Sequence, residues 1–228
     1  MSIADLITTL PSLPAEWDHT TLTFLREDDE QRIAERVSGR LNAVLGLGSR
    51  SLLRHISEAT CGRGDVYVIH SSDEVLNFLM EGILEDRLTN VELRRAPLDS
   101  IPAADRTFDT VFVLFQLHHE SDPVLALREV RRVLAPQGRA VILESFSRRA
   151  PPQHSVPPDD CWPSGTMIEM WALSAGLTPV AAERVNHGLL IRNGTRDFSL
   201  DTVLVEAAPD DEITSLQGGI PPDARRAP

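Results

Sequence analysis

The sequence predicts an α/β fold with a doubly wound, mostly parallel sheet. Two observations carry that reading. Short apolar runs alternate with segments of helical periodicity from residue 41 to residue 207. The runs are apolar throughout rather than at every second position, which marks strands covered by helices on both faces. Right-handed crossovers between such strands make the sheet doubly wound. Ligands then bind beyond the carboxyl ends of the strands.

The elements follow in order. Pro11 and Pro14 break an opening acidic, helical segment. Residues 28–43 read as a helix, because Ile33, Val37, Leu41 and Val44 recur every three or four positions. Asp28, Asp29 and Glu30 suit its positive end. Residues 42–47 form a first buried strand that ends in glycine, and residues 49–59 a helix. A second strand spans 66–69. Residues 72–86 are helical, with Val75, Leu76, Leu79, Ile83 and Leu84 on one face. A third strand covers 91–93. Residues 109–117, DTVFVLFQL, are too rich in β-formers for a helix and make the fourth strand. Asp122 as cap and Pro123 at the first helical position open a helix to about Leu134. It stops at Pro136-Gln137-Gly138, and residues 139–144 are the fifth strand.

Residues 148–163 hold Pro151, Pro152, Pro157 and Pro158 and read as a lid or a disordered connection. Residues 166–175 are helical. Residues 177–185 and 199–207 are two further strands, with Val185-Asn186-His187-Gly188 as a turn. The chain divides into an N-terminal helical extension (1–40), an α/β domain (41–208) and a tail (209–228) whose Pro, Gly and Asp content predicts disorder.

Composition bounds the function. The chain has 228 residues, 42% apolar and 25% charged, as expected of one globular domain with a self-sufficient core. Its 22 basic and 34 acidic residues leave a net charge of −12, which argues against nucleic acid or an anionic membrane as a partner. Every basic residue is arginine. With no lysine, Schiff-base chemistry, a lysine general base and a phosphate-loop lysine are excluded. Cys61 and Cys161 make neither a disulfide framework nor a zinc pattern, and two reduced thiols suit the cytoplasm. Asp5, with no basic residue before the first apolar stretch, is not a secretory signal, and no run approaches the ~20 apolar residues of a bilayer span.

One region carries a family resemblance. Its residues are Ile101-Pro102, Thr107-Phe108-Asp109-Thr110-Val111, Leu117-His118-His119 and Asp122-Pro123. They continue with Ala126-Leu127-Arg128-Glu129, Arg132-Val133-Leu134, and Pro136 and Gly138 leading into VILE. Together these resemble the second half of a class I S-adenosylmethionine-dependent methyltransferase domain of the small-molecule type. The resemblance implies a seven-stranded Rossmann-like sheet in the order 3-2-1-4-5-7-6, its seventh strand antiparallel. It also implies a set of cofactor positions: Gly46, Gly48, Arg50, His70, Pro97, Leu98, Asp99 and Gln116.

Most of those positions depart from the family. Gly46 stands where the first strand should end in an acidic residue. Gly48 keeps the first glycine of the turn, but Arg50 and Leu52 replace the second and third. His70 replaces the acid that holds both ribose hydroxyls. Pro97 replaces the acid that contacts the adenine, and Asp99 lies two residues on. A charge-assisted hydrogen bond contributes roughly 1.5–3 kcal/mol. Losing two or three costs at least about two decades of affinity. An arginine at position 50 would further crowd the methionine moiety and set a cation beside a sulfonium.

Several residues keep two readings. His118 and His119 are a structural pair at the end of the fourth strand, or a general base. With His70, Asp122, Glu144 and His154 they share one sheet edge, yet no tight spacing supports a metal, and none is expected. Arg50 bridges Asp99 or Glu144 and fills the cofactor pocket, or binds an anion. Arg94-Arg95 and Arg148-Arg149 are solvated, or rim an anion site. Cys161-Trp162 is a packing anchor rather than an activated thiol. Trp162, Met167, Met170 and Trp171 form a lid, or a surface for a partner.

The sequence therefore predicts a methyltransferase-like cytoplasmic protein with a degenerate cofactor site. No cofactor is expected unless other residues compensate to hold S-adenosylmethionine. The expected role is a non-catalytic subunit with a protein partner, in a hetero-oligomer or homodimer, or a pocket repurposed for a small molecule. The alternatives are a divergent active methyltransferase, in secondary metabolism for example, with His118 or His119 as base, and a cyclase or lyase on the same fold.

Overall fold

A computed structural model describes residues 22–23, 25, 27–46, 49–146, 165–192 and 196–210. Its strands are β1 (Leu22–Thr23), β2 (Leu41–Gly46), β3 (Asp65–His70), β4 (Val91–Arg95), β5 (Phe108–Leu114), β6 (Leu134–Phe146), β7 (Leu177–Arg192) and β8 (Arg196–Pro209). Its helices are α1 (Glu27–Ala34), α2 (Arg50–Thr60), α3 (Asp73–Glu85), α4 (Pro123–Val133) and α5 (Gly165–Ser174). The strands form one sheet in the order β1-β7-β8-β6-β5-β2-β3-β4. Numbered from β2, this is the expected seven-stranded order, and β8 runs antiparallel to β6 and β7. The short β1 adds an eighth strand at the edge, pairing Leu22 with Ile191.

Local chemistry explains the helix starts. Ser49 caps α2 by accepting the Leu52 N–H at 2.9 Å. Ser72 caps α3, whose first turn carries Asp73 and Glu74 at its positive end. Asp122 caps α4 by accepting the Leu125 N–H at 3.0 Å, and Pro123 follows without a donor to lose.

Two apolar layers sandwich the sheet. Along β5, Val111 and Val113 face a layer with Ala126, Leu127 and Val130 of α4 and Ile168 and Ala172 of α5. Phe112 and Leu114 face the other layer, with Ile33 of α1, Leu52 and Ile56 of α2, and Val75 and Leu79 of α3. This alternation within an apolar run is what a strand buried on both faces requires. Helix α1 is thus part of the packed body. Glu30 accepts from the Ser49 hydroxyl, and Arg36 pairs with Glu183 of β7 and Glu206 of β8.

Four expectations need correction. The helix expected over 28–43 stops at Ala34. Gly39 turns the chain at φ +64°, and Asp109 Oδ2 accepts from the N–H groups of Arg40 (2.6 Å) and Leu41 (3.0 Å), which fixes the entry to β2. The strand expected over 109–117 ends at Leu114, and Leu117–His119 is a 3₁₀ turn. The turn expected at 185–188 is strand. β7 runs to Arg192; across these residues its pairing with β8 shifts register only at Val185, and Asn186, His187 and Gly188 pair with Thr202, Asp201 and Leu200. Pro209, assigned to the tail, still pairs with Leu177. The loop 148–163 and the tail beyond Asp210 lie outside the described residues.

Candidate functional site

Parallel strands β2, β3, β5 and β6 bring their carboxyl ends to one edge, as the crossover topology demands. Gly46, His70, Leu114 and Glu144 stand there. The Phe115 N–H donates to the Leu143 carbonyl at 2.8 Å, and Phe115 itself sits at φ +50°. This bend turns the chain into the 3₁₀ segment and swings His118 over the end of β6.

Glu144 is wholly buried at that point. Its Oε2 accepts from the backbone N–H of Leu117 at 3.0 Å and of His118 at 3.4 Å, and Oε1 lies 2.7 Å from His118 Nδ1. A carboxylate only accepts, so Nδ1 carries a proton and donates it to Oε1. His118 is itself buried. The His119 ring lies 3.9 Å from that of His118, centroid to centroid. His119 is exposed, yet the groups crowding it lower its pKa from 6.5 to about 4. Desolvation is the main cause, and repulsion from His118 adds to it. His119 is therefore neutral at neutral pH. Glu120 is shifted the other way: desolvation raises its pKa, opposed by a hydrogen bond from Gln116 and aided by Asp99.

The cofactor positions fall at the same edge. Gly46 adopts φ +82°, and a Cβ there would lie 2.4 Å from the Leu114 carbonyl oxygen and 2.9 Å from Gln116 Cβ. The buried His70 accepts the Ser72 N–H on Nδ1 at 3.0 Å. Pro97 and Asp99 are exposed, and Leu98 is buried. Gln116 donates to Glu120 at 3.3 Å. Gly48 lies outside the described residues.

Arg50 overturns its expected roles. It bridges neither Asp99 nor Glu144, and it does not fill the cofactor pocket. The guanidinium stacks 4.0 Å over the Phe78 ring, donates to the Phe78 carbonyl at 2.7 Å and pairs with Glu81 and Glu85, all on α3. Gly82 makes room for it, since a Cβ there would meet Arg50 Cδ at 2.9 Å. Nor is the Arg94-Arg95 pair an open anion rim. Arg94 stacks on Tyr67 and pairs with Glu92, and Arg95 pairs with Asp73. Arg148-Arg149, His154, Cys161 and Trp162 lie outside the described residues. On α5, Met170 is exposed while Trp171 packs against the core. Among the described residues, no group of three histidine, cysteine, aspartate or glutamate side chains could hold a metal, and no helix is long and apolar enough to cross a membrane.

Sequence reasoning placed His118 and Glu144 on one sheet edge but missed their hydrogen-bonded pairing. The available signal was the topology, since Leu114, which ends β5, pairs with Leu143 of the adjacent parallel strand, and Glu144 is the next residue of β6. Glu120 and Ser72 were missed altogether, and only the fold brings them to this edge.

The residues present do not fit S-adenosylmethionine in the family's manner. No carboxylate stands at Gly46, His70 or Pro97. Gly46 has no room for one, and one ring nitrogen of His70 is already engaged by Ser72. No step through that cofactor is derived from this edge.

Comparison with known proteins places the fold. A family model described as a methyltransferase domain matches residues 44–142. A demethylmenaquinone methyltransferase of Geobacillus sp. (strain WCH70) is 34% identical over 121 residues, 53% of this chain and 51% of that protein. The chain thus spans about half the length of the curated relatives it matches. A SAM-dependent methyltransferase from Aquifex aeolicus superposes with a TM-score of 0.63 at 21% identity, over 90% of this chain and 98% of that one. The [4+2]-cyclase SpnF superposes with a TM-score of 0.65 at 18% identity, over 80% of each chain. Strand order, matched domain and superposition agree on the fold: it is that of the class I S-adenosylmethionine-dependent methyltransferases, and residues 44–142 are similar to their methyltransferase domain.

Proposed function

We propose that this protein is a non-methylating member of its family, with its carboxyl-edge pocket turned to another small molecule or kept as part of a partner subunit. The observation that carries this reading is His70. At the position that should grip two ribose hydroxyls stands an imidazole rather than a carboxylate, and its Nδ1 is held by Ser72. Gly46 and Pro97 remove the two neighbouring carboxylates. The missing charge-assisted bonds, at roughly 1.5–3 kcal/mol each, outweigh what one imidazole supplies.

Calorimetric titration with S-adenosylmethionine and S-adenosylhomocysteine tests this. The expected result is no binding below millimolar concentration. Micromolar binding overturns the proposal and favours an active methyltransferase like the quinone-pathway relatives.

The His118–Glu144 pair favours one second reading, a cyclase or lyase. An oriented imidazole beside a buried carboxylate can move a proton at a bound substrate without any methyl donor. The likeness to SpnF, which is named a [4+2]-cyclase, supports only that the fold is compatible with such chemistry.

A further inference from the structure

The opposite edge of the sheet holds a cleft whose chemistry differs from that of the carboxyl edge. It lies where α4 ends, β5 and β6 begin and β8 finishes. Its volume is about 490 Å³. Four guanidinium groups line it: Arg106, Arg128, Arg131 and Arg132. In a chain of net charge −12, such a convergence runs against the overall field.

Two of the four have structural duties. Arg132 pairs with Glu129 and Asp105 and donates to the carbonyls of Ile101 and Ala103. Arg131 donates to the Gly176 carbonyl at 3.0 Å. Both sit in the last turn of α4, where cations offset the negative end of the helix. The other two have no such duty. Arg106 and Arg128 are exposed, and neither has a side-chain hydrogen bond or ion pair among the described residues.

Both are also set at an energetic disadvantage. Arg128 lies three and four residues before Arg131 and Arg132, so three like charges share one helical stripe. Arg106 occupies the left-handed region at φ +57°, where a glycine or asparagine would sit without strain. Asp105 and Glu129 are engaged with Arg132, and Asp210 accepts from Thr178 nearby. An anion bound between Arg106 and Arg128 would relieve the repulsion, and the planar forks suit oxyanions.

We propose that this cleft binds a multivalent oxyanion, an organic di- or polyphosphate. Guanidinium groups from the loop before β5 and from α4 would hold the phosphates. Leu134, Pro136 and Pro209 offer an apolar wall for the organic part. The proposal is independent of the fate of the carboxyl-edge pocket.

The test is calorimetric titration of the full chain at low salt with inorganic pyrophosphate and inorganic phosphate, on the native protein and on the R106Q/R128Q variant. Pyrophosphate should bind at least tenfold tighter than phosphate, weaken as salt is added, and lose at least tenfold in the variant. The ligand-free variant should melt no lower than the native protein, because it loses repulsion and no bond. Absence of pyrophosphate binding below millimolar concentration overturns the proposal, as does equal binding by the variant. The same titration on R94Q/R95Q, surface cations on the carboxyl-edge side, should match the native protein, and a loss there would assign the anion to that edge and overturn the proposal.

Discussion

Glu144 holds His118 twice, by the ring at 2.7 Å and by the backbone N–H at 3.4 Å. Glu144 stands in β6 and His118 follows the neighbouring parallel strand β5, and the contact lies among groups with almost no solvent access. Replacing Glu144 by Ala strands three donors at once: the N–H groups of Leu117 and His118 and the His118 ring. Breaking one side of a buried pair costs about 3–5 kcal/mol. Urea unfolding of E144A should show a loss of that size, and E144Q, which keeps one acceptor oxygen, a smaller one.

Acid should weaken the protein through His119. Its pKa in the fold is about 4, below the ordinary 6.5, because burial and His118 both oppose its charge. The unfolded chain therefore takes up this proton first. The stability at stake is fully present above about pH 6.5 and is lost as the pH falls toward 4. Melting temperatures across that window should fall for the native protein and fall less for H119Q.

Restoring the family acid at the end of β2 should fail. A G46D substitution puts a side chain at φ +82° with its Cβ 2.4 Å from the Leu114 carbonyl oxygen. Strain of that kind costs about 1–3 kcal/mol before any steric shift. Thermal unfolding should show the loss, and calorimetry should show no gain of S-adenosylmethionine binding.

Arg50 serves the helix layer, so R50A should leave ligand behaviour alone. The variant loses the stack on Phe78 and the exposed pairs with Glu81 and Glu85. Those contacts together contribute roughly 1–2 kcal/mol. Denaturant midpoints should drop accordingly, while any affinity measured at the carboxyl edge changes less than twofold.

The strands were legible because burial on both faces leaves a mark that does not depend on partners. The helix over 28–43 was misread for the opposite reason. Its apolar spacing continued past Ala34, but the chain there has to enter β2 at Leu41, where the Asp109 carboxylate, 69 residues from Arg40, holds the Arg40 and Leu41 N–H groups. The Asn-His-Gly sequence at 186–188 has turn chemistry, but pairing with β8 overrode it and left a register shift. Arg50 was identified as the anomaly in the glycine-rich turn, yet its direction was set by α3. Proximity in sequence to a binding loop says little about where a long side chain points. His118 and Glu144 carried their meaning only as a pair, and a pair across strands is a property of topology.

The two flanks of the sheet bear on how copies of this chain meet one another. On the β7 side, β1 covers Leu190 and Ile191, and Pro179 offers no N–H. Shifts in register at Pro179–Ala181 and Arg184–Asn186 bend what remains of that border away from a straight template. On the β4 side, Glu92, Arg94 and Arg95 place charge along a strand of five residues. Neither border offers a long, flat, apolar row for strand addition, so the sheet resists growing from one molecule into the next even though its interior strands are almost wholly apolar.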